Sequence, residues 1–396
     1  MIDINEARRL TPGCDRVLHF NNAGASLMPE PVLRAVKGHL DLEANYGGYE
    51  AAARTRMLWE HTYDALATLL NCDRQEIALI ENATRAWDMA MYAIPLKPGD
   101  RVFTASNEYS SNWLAMMQLR KRTGCVVELI PNNEHGELDT EALKAMLDER
   151  VKVVAITHVA ASNGMVQPAA EVGRIVHANS DAIYMLDACQ SAGQMHLDIQ
   201  AIGCHVLSGT GRKFLRGPRG TGFLYVSNAI LDRLEPPFVD QRAAEWVAID
   251  RYEWLQNARR FENWETSYAL RIGLGEAVDH ALHWGLPAIE ARVKELARVL
   301  GERLIGIEGV QVQDTGQVRS GIVTFTLEEK DEMFLQKHLV MHGINITAAP
   351  LSIARLDLET RGIAAIGRAS VHYYNTEAEI DRFVVEVEKY LRSDMA

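Results

Sequence analysis

The stretch Ser208-Gly-Thr-Gly-Arg-Lys-Phe-Leu-Arg-Gly-Pro-Arg-Gly-Thr-Gly222 decides how the rest of the chain is read. Apolar runs flank it, His205-Val-Leu-Ser208 before and Phe223-Leu-Tyr-Val226 after. Its glycines permit positive φ and close backbone approach, so it reads as a turn shaped around a ligand. Arginines and backbone N–H groups in such a turn suit a phosphate. The one lysine, Lys213, has a different use. Neighbouring positive charge lowers the pKa of an amine, and the neutral amine attacks carbonyls. Taken alone, the stretch is better read as a solvated basic loop beside a hairpin, because short motifs match by chance. The surrounding chain decides between the two.

A chain of 396 residues has room for a large core and two domains. With 47% hydrophobic and 24% charged residues it has the composition of a soluble globular enzyme. A formal net charge of −12 argues against nucleic-acid and anionic-membrane partners, so the arginines of the loop form a local positive site in an acidic protein. Cys14, Cys72, Cys125, Cys189 and Cys204 are scattered with no CxxC, a reduced, cytoplasmic pattern. No apolar run reaches membrane-spanning length, and the N-terminal MIDINEARRL lacks the apolar core of a signal peptide. The histidines are dispersed, with no HExxH and no Cys/His pair at ligand spacing, so no metal site is expected.

Upstream of the loop, apolar runs alternate with helical patterns. Strands are expected at 76–80, 101–104, 125–130, 151–157, 182–186 and 205–208. The intervening helices start at Thr84, run through Trp113 and Leu119, start after an Asp139 N-cap, and start at Pro168. Before them, Val32, Leu33, Val36 and Leu40 mark a helix that Gly47-Gly48 breaks, and a second helix runs from about Glu50 to Leu70. This is the βαβ pattern of a mostly parallel sheet flanked by helices, in which ligands bind beyond the carboxyl ends of the strands. After about Trp254 the rhythm becomes that of a smaller α+β domain. It has helices at 287–305, 331–342 and from Glu377, and strands at 310–313, 321–326, 344–347 and 367–372.

Four polar clusters fall at expected strand ends. Glu81-Asn-Ala-Thr84 opens a helix, where N–H groups and a hydroxyl hold an anion. Asn107-Glu-Tyr109 places an aromatic ring that can stack on a flat ligand. Asp187-Ala-Cys-Gln190 follows a buried apolar run, and a buried carboxylate needs a charged partner such as a protonated heterocyclic nitrogen. The fourth cluster is the Lys213 loop. A Schiff-base lysine, an aspartate for a pyridinium, a stacking ring and a phosphate cradle together are what pyridoxal 5'-phosphate requires.

On Asp187-Ala-Cys-Gln190, Thr210-Gly-Arg-Lys213, Gly217-Pro-Arg-Gly220 and Arg368-Ala-Ser-Val-His-Tyr-Tyr-Asn-Thr376, the chain resembles the class V aminotransferases. These are the cysteine desulfurase-like group of fold-type-I pyridoxal-phosphate enzymes. The resemblance covers essentially the whole chain. It implies an α/β fold with a large cofactor-binding domain at 25–255 and a small domain made of 1–24 and 256–396. It further implies a homodimer with the active site at the interface.

By resemblance, Lys213 binds the cofactor as a Schiff base and shuttles the α-proton. Asp187 pairs with the pyridine N–H, Gln190 with the phenolic oxygen, and Tyr109 stacks on the ring. Ala83, Thr84, Thr210 and Arg212 hold the phosphate, joined by Thr266 across the dimer. Asn22 and Arg368 bind the amino-acid substrate, Arg368 by its carboxylate.

Some positions depart from the desulfurase pattern. Ala161 stands where desulfurases carry an asparagine that contacts the cofactor. Thr266 sits in Glu262-Asn-Trp-Glu-Thr-Ser267 rather than the usual Gly-Thr pattern. A desulfurase also needs a loop cysteine shortly before Arg368 to take sulfur as a persulfide, and 343–367 contains none. Tyr109, the Thr-Gly-Arg-Lys form and Tyr373-Tyr-Asn-Thr376 look like the branch of isopenicillin N epimerase-like proteins and hercynylcysteine sulfoxide lyases. The expected activity is therefore a C–S β-lyase on a cysteine-derived substrate, with epimerisation or transamination as the alternatives.

Overall fold

The computed structural model describes residues 2–393. Helix α1 (Ile4–Arg9) and strand β1 (Leu18–His19) precede α2 (Glu30–Tyr46). Pro31 sits in the first turn of α2, where a missing N–H breaks no helical bond, and Gly47 ends the helix with φ +93°. The single helix expected from Glu50 to Leu70 is two, α3 (Gly48–Arg54) and α4 (Arg56–Leu70). They part at Thr55, whose hydroxyl is drawn to the Ala51 carbonyl and the His39 ring.

The alternating region comprises β2 (Ile77–Ile80), α5 (Ala83–Met91), β3 (Arg101–Thr104), α6 (Ser110–Thr123), β4 (Val126–Leu129) and α7 (Thr140–Met146). It continues with β5 (Val151–Thr157), α8 (Ala169–Asn179), β6 (Ile183–Asp187), α9 (Ile199–Ile202), β7 (Val206–Thr210) and β8 (Gly222–Val226). Its strands build one seven-stranded sheet in the order β2-β8-β7-β6-β5-β3-β4, in which β8 alone runs against the others. β6 and β7 are buried throughout, as strands covered by helices on both faces must be. Asp139 caps α7 as expected, accepting from the N–H groups of Glu141 and Ala142.

The sequence reading missed two elements beyond β8. An antiparallel hairpin of β9 (Ala244–Ala248) and β10 (Arg251–Trp254) holds Trp246 and Ile249 out in solvent, 77% and 96% exposed. Helix α10 (Tyr268–Trp284) packs closely on α2 and α4. The approach depends on glycine: a Cβ at Gly273 would lie 2.5 Å from Val36, and one at Gly275 would lie 2.6 Å from Thr62.

Helix α11 (Leu286–Ile305) leads to β11 (Val310–Val312), β12 (Ile322–Leu327), α12 (Glu332–Met341), β13 (Ile344–Asn345), β14 (Thr347–Pro350), α13 (Arg355–Leu358), β15 (Ala365–Ser370) and α14 (Glu377–Arg392). The strand expected at 344–347 is thus divided. β14 joins the antiparallel sheet β11-β12-β15-β14, while β13 pairs in parallel with β1. The N-terminal segment thereby lies against this second sheet, with Asn21 bridged to Ser370. No helix among the described residues is long and apolar enough to cross a membrane.

Candidate active site

The carboxyl ends of β2 and β7 come together through β8. Gly222 of β8 pairs with Thr210 on one side and Ile80 on the other. Only glycine fits here, because a Cβ would lie 2.7 Å from the Asn82 backbone. The first turn of α5, with Ala83 and Thr84, therefore starts beside Thr210. Asn82 caps that helix by accepting from the Arg85 N–H, and the remaining N–H groups of the first turn are free for an anion. Beyond Thr210, the Gly217 N–H donates to the Gly211 carbonyl at 2.7 Å and closes the turn that carries Arg212 and Lys213.

Lys213 is partly accessible, and its amine lies 6.0 Å from the centre of the Tyr109 ring. Desolvation lowers its pKa, and Arg212 and Arg368 lower it further, against the opposing pull of Cys189 and Asp187. Of the three arginines in the loop, only Arg212 combines a place at the site with an unpartnered buried Nη1. Arg216 is used structurally. Its φ is +62°, and it donates to the Leu27 carbonyl, the Tyr373 hydroxyl and the Thr11 hydroxyl. Arg219 is exposed.

Asp187 ends β6 and is 3% exposed. Its Oδ1 accepts from the Cys189 N–H at 2.8 Å and its Oδ2 from the Asn112 amide at 2.9 Å. Asn112 also donates to Glu108, a second buried carboxyl group. Glu108 further accepts from the hydroxyls of Thr157 (2.6 Å) and Thr104 (2.8 Å) and from the Tyr109 N–H (2.9 Å). Burial raises the Glu108 pKa to about 7, and the Asp187 charge adds to the rise against these hydrogen bonds. Glu108 and Asn112 were not singled out from the sequence. The available signal was Thr104, Glu108 and Asn112 at intervals of four, spanning a strand end and the start of a helix.

Arg368 lies on β15, where it pairs with Thr324 and Thr347 in the small sheet. Its Nη1 donates to the Ala161 carbonyl at 3.3 Å, its Nε has no partner, and no carboxylate among the described residues pairs with it. Burial pulls its pKa down to about 10, with Tyr109 opposing and Arg212 adding, so it stays cationic at neutral pH. His158 is also buried; its Nδ1 is unpartnered, and desolvation lowers its pKa to about 4.

Two expected residues are engaged elsewhere in this geometry. Asn22 donates to the carbonyls of Ser370 (2.7 Å) and His19 (3.4 Å) and accepts from the Tyr374 hydroxyl (2.5 Å). It ties the N-terminal segment to β15 and has no free amide hydrogen for a substrate. Thr266 accepts from Arg271 at 2.8 Å and lines a cleft of about 280 Å³ with Glu81, Gly220 and Gly222. His372 has both ring nitrogens engaged, with the Phe214 carbonyl and the Tyr373 N–H, as a core histidine does.

Around Asp187 and Lys213, Gln190 Oε1, Ser208 Oγ, Arg212 Nη1, Arg368 Nε and His158 Nδ1 are all buried without a partner. Each such group costs roughly 1–3 kcal/mol when left unsatisfied, so this grouping marks a space shaped for a polar ligand. Pyridoxal 5'-phosphate fits the set. It would bring a phosphate for Arg212, Thr210 and α5, a ring nitrogen for Asp187, a flat ring for Tyr109 and an aldehyde for Lys213.

Known proteins share this architecture. The family model for aminotransferase class-V matches residues 18–383. A probable cysteine desulfurase of Xylella fastidiosa is 31% identical over 387 residues, covering 94% of this chain and 90% of the relative. One of Methanothermobacter thermautotrophicus is 29% identical over 385 residues, covering 95% of each. The apo structure of a cysteine desulfurase from Thermococcus onnurineus superposes with a TM-score of 0.91 at 26% identity, covering 99% of both chains. A cystine C–S lyase solved with its product cysteine persulfide has the same fold, with a TM-score of 0.86 at 22% identity, covering 96% of this chain and 99% of the other. With most of its length matched and the cofactor's requirements met around Lys213, the chain belongs to the class V aminotransferase family of pyridoxal-phosphate-dependent enzymes.

Proposed function

We propose that the protein is a C–S β-lyase that acts on a cysteine-derived amino acid. When bound, the cofactor supplies an electron sink for the pair left at Cα. The chain supplies the rest. Arg368 takes the substrate carboxylate, a task suited to a buried guanidinium with no carboxylate partner among the described residues. Lys213, with its lowered pKa, takes the α-proton. Asp187 holds the ring nitrogen, Gln190 the phenolic oxygen, and Tyr109 covers the ring. Ala83, Thr84, Thr210 and Arg212 hold the phosphate. Loss of the α-proton followed by breakage of Cβ–S expels the sulfur group and leaves pyruvate and ammonia after hydrolysis.

The observation that carries this reading is the absence of any cysteine between Gly343 and Gly367, beside an intact Lys213, Asp187 and Arg368. Cys189 is a poor substitute acceptor of sulfur, because burial drives its thiol pKa far up and the Asp187 carboxylate adds to it. Tyr109 in the stacking position supports the epimerase- and sulfoxide-lyase-like branch. A homodimer is part of the proposal. Exposed Met57, Leu58, Trp246, Ile249 and Trp264 offer apolar surface for it, and the partner's phosphate would be the ligand of Thr266.

The test is an absorption spectrum of the purified protein before and after adding cysteine, cystine or a cysteine S-conjugate sulfoxide, with pyruvate measured alongside. Wild type should show a cofactor band that Lys213→Ala lacks, and pyruvate should appear with one of these substrates. Conversion of the cofactor to its amine form, or substrate epimerisation without pyruvate, would replace the lyase reading with one of its alternatives. Light scattering that finds a fully active monomer would remove the dimer.

A further inference from the structure

Helices α12 and α14 lie side by side against the small sheet. His338 in the last turn of α12 and His342, the residue that caps its C-terminus, are four residues apart, and Glu386 faces them from α14. One potential ligand atom from each lies within 4.8 Å of the other two. Glu386 Oε2 is 3.8 Å from His338 Nε2 and 4.0 Å from His342 Nε2. These separations are too long for hydrogen bonds, so the three atoms converge without bonding one another.

The gap between them is lined by unsatisfied groups. His338 is 7% exposed and Glu386 8%. Both ring nitrogens of His338 and Oε2 of Glu386 are buried without a partner. The neighbouring contacts prepare the remaining atoms. His342 Nδ1 meets the His338 carbonyl at 2.9 Å, which fixes its proton there and leaves the Nε2 lone pair turned toward Glu386. That is the backing found behind metal-bound histidines. Lys389 donates to Glu386 Oε1 at 2.7 Å and leaves Oε2 without a partner.

We infer that His338, His342 and Glu386 form a site for a divalent transition-metal cation, with Zn²⁺ the best match, that ties α12 to α14. Two imidazole nitrogens and one carboxylate oxygen are a ligand set Zn²⁺ favours. Tetrahedral bonds of about 2.0–2.1 Å place ligand atoms about 3.3 Å apart, so modest movements of the Glu386 carboxylate and the histidine rings close the present separations. Water takes the fourth position, and His342, half-exposed, lies on the route of entry. The sequence reading expected no metal because it looked for HExxH and for Cys/His pairs. The signal here is H-x-x-x-H across the C-terminal end of one helix, completed by a carboxylate from another. The positive charge of Lys389 beside the carboxylate sets the expectation at micromolar rather than tighter binding.

The experiment uses chelator-treated, cofactor-loaded enzyme dialysed against micromolar Zn²⁺, followed by metal analysis and thermal melts, with His342→Ala and Glu386→Gln beside wild type. Wild type should retain about one Zn²⁺ per chain more than either variant. Its Tm should rise by a few degrees with Zn²⁺ while that of His342→Ala stays unchanged. Because His342 is on the surface, that variant folds without the cation and keeps its cofactor spectrum. Equal Zn²⁺ content in wild type and His342→Ala, or a Tm in wild type that ignores Zn²⁺, would overturn the assignment.

Discussion

Glu108 is an ionisable group built beneath the site, and its replacement by glutamine makes a quantitative test of the buried network. The Glu108 carboxyl titrates near 7 instead of the ordinary 4.5, chiefly through burial. Below pH 4.5 both the folded and the unfolded chain hold the proton, and Glu108 adds no pH dependence. Between 4.5 and 7 the unfolded chain has released it while the folded chain keeps it, so stability falls as pH rises. Above 7 both states are ionised and the full penalty is present. At 1.36 kcal/mol per pH unit the penalty is about 3 kcal/mol.

Glutamine copies the protonated form. Its Oε1 keeps the donors from Thr157, Asn112 and the Tyr109 N–H, and its amide can donate to the Thr104 hydroxyl. Thermal melts of wild type and Glu108→Gln from pH 5 to 8.5 should therefore diverge. Their difference should be small at pH 5, grow to pH 7 in favour of the variant, and then level off at a Tm gap on the order of 5 °C. Parallel curves, or a variant that is the less stable protein at pH 8, would refute the placement of a strained carboxylate beside Asp187.

Three further substitutions separate the roles around Lys213. Asn112→Ala removes one donor from Asp187 and one from Glu108, and should lower kcat by roughly 10-fold or more while weakening cofactor retention, read by rate and by spectral titration. Arg368→Lys keeps the charge but loses the planar fork; kcat/KM for amino acids should fall by roughly 10- to 100-fold, with most of the change in KM. Asn22→Ala should lower Tm by several degrees and leave KM alone, because its hydrogen bonds run to Ser370, His19 and Tyr374; a raised KM at unchanged Tm would restore Asn22 to the substrate.

The large sheet was readable because its central strands are buried on both faces and so appear as short apolar runs, β5 to β7 most clearly. The glycine turn was readable because it is dense in glycine, and at Gly222 the backbone of Asn82 comes too close for any Cβ. What depended on several elements meeting was not. Glu108 acquires its meaning only when β3, α6 and β5 bring Thr104, Asn112 and Thr157 to one point. Arg212 and Arg216 look alike in the loop. A positive φ and the distant partners Thr11 and Tyr373 make one of them structural. The hairpin β9–β10 faces solvent and carries little burial pattern to read. α10 is buried nearly all round, with Gly273 and Gly275 in its middle, so it lacks both the polar face and the propensity by which helices are recognised.

The segment from Gly343 to Gly367 carries the argument for the reaction, and its attachments bear on more than the missing thiol. Asp357 on α13 accepts from the Ser162 hydroxyl at 2.7 Å and from the Asn163 amide at 3.3 Å, and pairs with Arg361. Ser162 and Asn163 belong to the loop after β5, where the Ala161 carbonyl receives Arg368. Arg368, the loop and α13 are thus linked through a few side chains. An acceptor of sulfur on this segment would have to travel to the substrate's Cβ and back, which needs a segment that is easily released. Asp357, mostly buried, instead ties this segment to the loop after β5. Under the proposed lyase reading a tethered segment suffices, because in an elimination the sulfur group leaves without an acceptor carried to it on this segment.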